Sequence, residues 1–533
     1  MRPSTALPHA SVQRQRAARW LSFCTFGPTS ADLDAVEAHG PAAWLELQLN
    51  APPSLSVTDW IERKGPPGFE EPQVPVFIST RVRAIDWKCI WAPDMVRQRV
   101  SYALSQILVV SELGTNRTVP FALANFWDIL NRGATGNFRD LLREVSQSLD
   151  MASYLTYLNN RKADLRTGRQ PDENYARELM QLFTLGLWEL NEDGSLRRDA
   201  AGRLIPTYDQ DDVIQLARVF TGWYSPGPDQ QGRTLGFGVD NTSSYESKAW
   251  ARPLVVDSRE HSPEAVHGLG GKLRLPAGTG GIQALDAALD VLFEHPNCPP
   301  FIALNLIRRL TTSNPSAAYV SRVSKAFKDD GQGRRGEMKA VLRAVFLDPE
   351  VLHPDRPEFG RVIEPYVQVI GLARLLGAHV DAKRQRFAVF TLHERFSTQR
   401  PFTAPSVFNF NQLDFSPQGP VRDAGWVAPE LQNCDEYGAT LRFNGMAGFC
   451  EGIVLPEALF ERLADPIHDA ELVDAQALLL AGRLLPADDR ADLLRILARL
   501  PRGAGSSAYP ARASVLQGIA WFISIHPDMA VRQ

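Results

Sequence analysis

A chain of 533 residues with 44% hydrophobic side chains is long enough to bury one or several substantial cores. Its 57 basic and 61 acidic residues leave a formal charge of -4, which gives no electrostatic case for nucleic acid or an anionic membrane surface as a partner. Five cysteines, Cys24, Cys89, Cys298, Cys434 and Cys450, stand far apart with no Cys-x-x-Cys pair, so they read as buried thiols rather than zinc or redox ligands. Cys434 and Cys450 would pair only in an exported chain with suitable Cβ geometry.

Met1 to Ala10 lack the apolar core of a secretory signal, and Arg14, Arg16 and Arg19 are not followed by one, which points to cytoplasmic residence. No apolar run approaches the roughly 20 residues a membrane-crossing helix requires, so no integral membrane segment is expected. Helical periodicity then dominates. It predicts helices over 31–49 and over 93–110, where Val96, Val100, Leu104 and Ile107 share a face and Pro93 suits a first turn. A further helix is expected over 121–131. From Trp188 to Pro206 the pattern changes to a hairpin with Asp193-Gly194 in its turn. Residues 224–281, rich in Gly, Pro, Asp and Ser, read as a long irregular lobe. Helices return over 282–293, 299–310, 317–327, 337–346 and 361–376, and again over 488–500 and 513–525. The expected fold is mainly α, a multi-helical globular core with a short β-hairpin excursion and a long irregular lobe. The expected division is 1–223, 224–281, 282–430 and 431–533.

Two stretches carry the candidate chemistry. After Pro171, a helical wheel gathers Tyr175, Ala176, Leu179, Met180, Leu182 and Phe183 on one arc, with Glu173, Arg177, Gln181 and Thr184 opposite. Glu173 and Arg177, spaced i,i+4, read first as a solvated pair worth about 0.2–0.5 kcal/mol. Asn174 and Glu178 lie one turn apart at the edge of the apolar arc, where partial burial would make Glu178 a general acid or base, a metal ligand or the acceptor of a structural hydrogen bond. The next helix opens with Thr207-x-x-Gln210, read as a capping box, while Asp209, Asp211 and Asp212 favour its positive end. Asp212 falls on the wheel beside Val219 and Trp223 and is the better buried candidate; Asp211, Gln215 and Arg218 form the polar face. His261 is suited to proton transfer or metal binding near neutral pH, although a loop histidine is more often a polar structural contact.

Other signatures are negative. His261-x-x-Glu264-x-x-His267 lacks the i,i+4 histidines of a zinc protease, and no Gly-x-Ser-x-Gly elbow occurs. Gly278-Thr279-Gly280-Gly281 lacks a phosphate-loop Lys-Ser/Thr, and Asn191-x-Asp193-Gly194 lacks the closing acid of a calcium loop.

The runs Asn174-Tyr175-Ala176-Arg177-Glu178-Leu179-Met180 and Ala217-Arg218-Val219-Phe220-Thr221-Gly222-Trp223 resemble the bacterial family of domain of unknown function 1800. The likeness covers nearly the whole chain. It includes Arg97-Gln98-Arg99-Val100, Thr312-Ser313-Asn314-Pro315-Ser316, Pro405-Ser406-Val407-Phe408-Asn409-Phe410 and the closing His526-Pro527-Asp528-Met529. It implies relatives and broad context, not a reaction, because the family has no assigned chemistry. At His261 the family pattern continues with an acid and later a lysine; here Ser262 and Val266 stand instead, which implies that any activity requiring those side chains is altered or lost. Family members are often exported and encoded beside proteins resembling the sulfatase and alkaline-phosphatase superfamily. This implies a periplasmic or extracellular complex with such a partner, reached by association with a signal-bearing protein.

Two readings result. In the first, Glu178, Asp212 and His261 are catalytic and Asn174, Arg177 and Arg218 bind substrate, in acid–base or metal-assisted chemistry on a glycan or other polymer, with a divalent metal as the cofactor to consider. In the second, the protein is a noncatalytic partner or scaffold of a sulfatase- or phosphatase-like protein.

Overall fold

The computed structural model describes residues 11–63, 78–114, 120–225, 248–375, 399–433, 457–503 and 508–532. Cys434 and Cys450 lie outside them. The fold is mainly α. The first half contains α1 (Val12–Cys24), α2 (Ser30–Leu49), α3 (Val57–Arg63), α4 (Ile78–Trp91), α5 (Met95–Ser105), α6 (Pro120–Gly133), α7 (Phe138–Ser146), α8 (Leu149–Tyr154), α9 (Asn174–Gln181) and α10 (Gln210–Val219). After it come the short strands β1 (Trp223–Tyr224), β2 (Val255–Val256), β3 (Val266–Gly268) and β4 (Leu273–Leu275). The second half runs through α11 (Gly281–Glu294), α12 (Cys298–Leu310), α13 (Ala317–Lys328), α14 (Met338–Phe346), α15 (Pro349–Leu352), β5 (Arg361–Val362) and α16 (Pro365–Leu375) to helices Asp469–Ala481, Ala487–Leu497 and Ala508–Ile525 and the closing strand β6 (Val531–Arg532).

Local chemistry sets these boundaries. The Ser11 side chain accepts from the Arg14 amide to start α1, and a reciprocal Thr29–Asp32 capping box starts α2. The helix expected over 31–49 is bent inside, because Pro41 lacks an N–H and the preceding Gly40 takes φ 80°. The helix expected over 93–110 stops at Ser105, and all eleven residues of α5 are buried, polar ones included.

Residues 188–206 form more than one hairpin. The Glu189 amide donates to the Ile205 carbonyl (2.8 Å), Arg197 to Glu189 (2.8 Å) and Ile205 to Arg197 (3.4 Å), so the backbones of these three residues close into a ring. Asp193-Gly194 makes one turn and Asp199 to Gly202 the other; each Asp side chain accepts amides of its own turn. The irregular lobe is also more regular than expected where it is described. β1 pairs antiparallel with β2, and β3 with β4 in the register Val266↔Leu275, which sends both side chains inward.

One buried core joins α1 at one end of the chain to Met529 at the other. β5 and β6 pair antiparallel, Arg361 opposite Arg532, and Arg532 Nη1 donates to the Ser22 carbonyl of α1. Around this junction lies a knot of buried charge: Arg99, Arg309, Arg361 and Arg532 with Glu364 and Glu430, each no more than 6% exposed. Arg361 pairs with Glu364 at 3.0 Å and with Glu430, and Gln106 donates to Glu364 at 3.1 Å. Neutral oxygens take the remaining load: Arg99 donates to the Arg309 carbonyl at 2.9 Å, and Arg309 donates to the Asn411 side-chain Oδ1 at 2.7 Å and to its backbone carbonyl at 3.3 Å. Burial pushes the Glu364 carboxyl up, but Arg361 and Arg99, with hydrogen bonds from Arg361 and Gln106, outweigh it and hold its pKa at about 2.

Candidate functional site

Helix α9 is fixed by its aromatic side. Tyr175 stacks on Tyr157 (centroids 4.3 Å apart), meets Phe220 edge-on (4.6 Å) and shares a 2.6 Å hydrogen bond with Ser146 of α7. With that face locked against α7, α8 and the end of α10, Glu178 is carried into the edge of the core. It is 7% exposed, and its Oε2 is enclosed without a hydrogen-bond partner. Burial pushes its pKa up, and the Arg177 charge opposes the rise. Tyr154 and Tyr208 feel this carboxylate: burial, and then the Glu178 charge, raises the Tyr154 phenol, while Tyr208 is raised by burial with Arg177 and Glu178 acting in opposite senses. Tyr208 donates to Gln181 at 2.9 Å.

Above Glu178 lies a polar rim. Asn174, expected to be partly buried, is exposed, because the helix begins at this residue and its side chain turns to the preceding loop. Its Nδ2 donates to Thr156 Oγ1 at 3.4 Å, its amide to Asp172 Oδ1 at 2.9 Å, and Thr156 Oγ1 to Asp172 Oδ2 at 3.0 Å. Thr156 has φ 64°, a left-handed conformation that a β-branched residue seldom takes. Arg177 bridges α9 to α10: Nη2 lies 3.0 Å from Glu173 Oε2 and 3.2 Å from Gln210 Oε1, and Gln210 closes the triangle on Glu173 at 2.8 Å.

Asp150, in the first turn of α8, belongs to none of the motifs that mark the other candidates. It looks like an ordinary first-turn acid behind the Ser148 cap, yet its Oδ2 is enclosed without a hydrogen-bond partner, and burial lifts its pKa to about 7 against the pull of Arg81. Asp150 and Tyr154, one turn apart, share a side of α8, and Tyr154 is one of the two tyrosines that sense Glu178. The available signal was the i,i+4 Asp–Tyr spacing just ahead of the Asn174 to Met180 motif.

The remaining candidates lie elsewhere along α10. Its capping box is Asp209–Asp212, not Thr207–Gln210: Asp209 accepts the Asp212 amide and Asp212 Oδ2 the Asp209 amide, each at 3.0 Å. Thr207 instead donates to the Gly186 carbonyl. Asp212 is half-buried, and its Oδ1 accepts the Leu269 amide in the β3–β4 turn. Arg218 holds the approach to β3, donating to Ala265 O at 2.9 Å and pairing with Glu264 at 2.9 Å. His261 is 7% exposed and sits past the far end of the helix, its Nδ1 2.8 Å from the Thr221 carbonyl. A carbonyl only accepts, so Nδ1 carries the proton and Nε2 is left as the site of protonation. Gly222 permits the close packing of this segment, since a Cβ there would stand 2.7 Å from the Asp257 carbonyl oxygen and 2.8 Å from the His261 backbone nitrogen. Ser262 keeps a turn acceptor, receiving the Glu264 amide at 3.4 Å, and Val266 points into the core.

From Asp212 to Val219 the helix axis advances about 10 Å. Among the described residues no hydrogen bond or ion pair joins Glu178, Asp212 and His261. Glu178 is linked by charge to Arg177, Tyr154 and Tyr208, with Asn174 one turn before it, while Asp212, Arg218 and His261 hold the 261–269 segment to α10. Among the described residues no group of three or more His, Cys, Asp or Glu is arranged to take a metal ion. Cys24, Cys89 and Cys298 are buried thiols whose pKa values burial pushes up, Cys298 to about 12. None of the described helices is long and apolar enough to cross a membrane.

Residues 19–522 match the family model described as protein of unknown function (DUF1800). No curated protein matches the chain. No solved structure matches it either.

Proposed function

Since the chain belongs to the DUF1800 family, whose description carries no chemistry, we propose from its own residues that it is an acid–base enzyme acting on a glycan or other polymer, with Glu178 as the proton donor. The observation that carries this reading is the enclosed, unpartnered Glu178 Oε2 beside two tyrosines. A carboxyl in that setting retains its proton to higher pH than a solvated one, which suits it to protonate a leaving oxygen. Asn174 and Arg177 border it as substrate contacts, and Asp150 is a second carboxyl with its pKa pushed toward neutrality. Asp212, Arg218 and His261 act in this reading by positioning the 261–269 segment.

The test is a reducing-end assay over a panel of polysaccharides between pH 5 and 8. Glu178→Gln is expected to abolish turnover of any substrate the wild type cleaves, with an unchanged melting temperature. The wild-type rate should fall as pH rises through the Glu178 pKa. Equal turnover in the variant removes Glu178 from the chemistry.

A second reading, a noncatalytic partner of a sulfatase- or phosphatase-like protein, is favoured by one feature. Trp188 and Leu196 on the 188–206 excursion, and Leu187 just before it, are large apolar side chains left 40%, 46% and 49% exposed. Mass spectrometry of the complex isolated from native cells tests it: a stoichiometric companion of that class, retained by Glu178→Gln and lost with Trp188→Ser, is the expected result.

A further inference from the structure

The excursion at 188–206 forms one wall of a cleft of 350 Å³ that lies apart from Glu178. Its root is clamped by Asn297, whose Nδ2 donates to Leu185 O (2.6 Å) and Trp188 O (3.0 Å) while Oδ1 accepts the Leu190 amide. Its tip is stapled to α13, where Glu192 meets Ser321 (3.2 Å), Lys325 (3.5 Å) and Lys328. Gly194, at φ +79°, presses so closely on α13 that a Cβ would come within 3.0 Å of Val320 Cγ1. The opposite wall is equally built. Asn314 exchanges two hydrogen bonds with the Val427 backbone (3.0 and 2.9 Å), and Ser416 donates to the Trp426 carbonyl at 2.7 Å, which sets the half-buried indole into the cleft.

Between the walls lies Arg308. The other arginine of the lining, Arg356, is held by Glu350 (3.2 Å) and Glu358. Arg308 makes no ion pair: no carboxylate of the described residues stands within ion-pair distance, although the Asp414 charge acts on it from farther off, Nη1 makes a long contact to Leu413 O (3.3 Å), and Nε is enclosed without an acceptor. The acids of the lining are turned elsewhere, Asp193 to Ser195 and Glu358 to Arg356. A half-buried guanidinium without an ion pair in a concave site can take an anion, and its planar fork matches carboxylate and phosphate oxygens. An indole face beside it supplies a flat apolar surface for a ring. We propose that this cleft binds a ring-bearing anion, its carboxylate or phosphate seated on Arg308 and its ring on Trp426. Acidic sugar units of a polymer and small sugar phosphates both carry that chemistry.

Calorimetric titration of the full chain separates the sources. The probes are trigalacturonate, glucose 6-phosphate, inorganic phosphate and neutral maltotriose. Binding of trigalacturonate assigns the acidic sugar and binding of glucose 6-phosphate the sugar phosphate. Either affinity should fall at least tenfold in Arg308→Gln and in Trp426→Ala. Ala317→Glu guards against misfolding as the cause. Ala317 is exposed at the cleft in the first turn of α13, where an acid suits the helix, and the new charge should repel both probes. The proposal is overturned if neither ring-bearing anion binds, if maltotriose binds as tightly as trigalacturonate, or if Arg308→Gln and Ala317→Glu leave affinity unchanged.

Discussion

The arginine knot and the Glu178 face bury carboxylates in opposite ways. Glu364 is 2% exposed and surrounded by guanidiniums and an amide donor, so its ionised form is favoured despite burial. Glu178 is 7% exposed and has a desolvated oxygen that nothing bonds, so its neutral form is favoured. Depth is similar; partners decide the sign. A matched buried charge ties distant segments together, here α5, α12, β5, the 429–433 turn and the C-terminal strand, whereas an unmatched one is a standing cost that stability does not explain.

The largest test of this contrast removes one carboxylate from each region. Glu364→Gln leaves Arg99 without its counter-charge and Arg361 with Glu430 alone, and should lower stability by about 3–5 kcal/mol, read as a fall in the urea midpoint. Glu178→Gln deletes a charge that burial disfavours and should leave the midpoint unchanged or raised at pH 7. If the two variants unfold alike, the regions do not differ in the way the geometry indicates.

Acid titration sharpens the same comparison by sign. The pKa of Glu364 is depressed to about 2 from an ordinary 4.5, so its contribution is fully present above the unfolded value and is lost as pH falls from there through 2. The pKa of Glu178 is raised, so its effect runs the other way: stability declines as pH climbs from the unfolded value through the folded one, then levels off. Subtracting the Glu178→Gln stability curve from the wild type should isolate that decline. A difference curve that rises with pH would mean that the carboxylate has a partner.

A smaller effect distinguishes capping from chemistry at the start of α10. Asp209→Ala breaks the reciprocal box, and Asp212→Asn, with one acceptor oxygen in place of two, gives up either the Asp209 or the Leu269 amide; each should cost about 0.5–2 kcal/mol. Any loss of turnover in Asp212→Asn should follow that loss of stability and be recovered by cooling. A large fall in turnover at unchanged stability would return Asp212 to the reacting centre.

Much of the fold was legible because apolar residues at helical spacing face one core, as in α11 to α14, whose predicted bounds fall within two residues of those observed. The burial of Glu178 was legible for the same reason: its place on the wheel follows from Tyr175, Leu179 and Met180. Position on a wheel does not reveal what lies opposite. Arg99 reads as the polar side of an amphipathic helix, and only the return of the last strand to β5 encloses it. The closed ring at 188–206 was half visible, since Asp193-Gly194 announces a turn while Asp199 to Gly202 needs its rung partners to be recognised. Asp150 was hidden because the burial that raises its pKa comes from tertiary packing, and even the opposing charge, Arg81 on α4, is far away in sequence.

The smallest expected change concerns the rim above Glu178. Thr156 holds a left-handed backbone at φ 64° while its hydroxyl joins Asp172 and Asn174. Such a conformation costs a β-branched residue on the order of 1–3 kcal/mol, and asparagine takes it far more readily. Thr156→Asn should therefore raise the urea midpoint slightly, after the lost hydroxyl bonds offset part of the relief. Because Asn174 would lose the acceptor that orients it, turnover should drop although the protein is no less stable. If Thr156→Asn instead lowers the midpoint and leaves turnover intact, the strained residue serves the α8–α9 connection and not the rim, and the Glu178 face would then resemble the arginine knot in being built for cohesion.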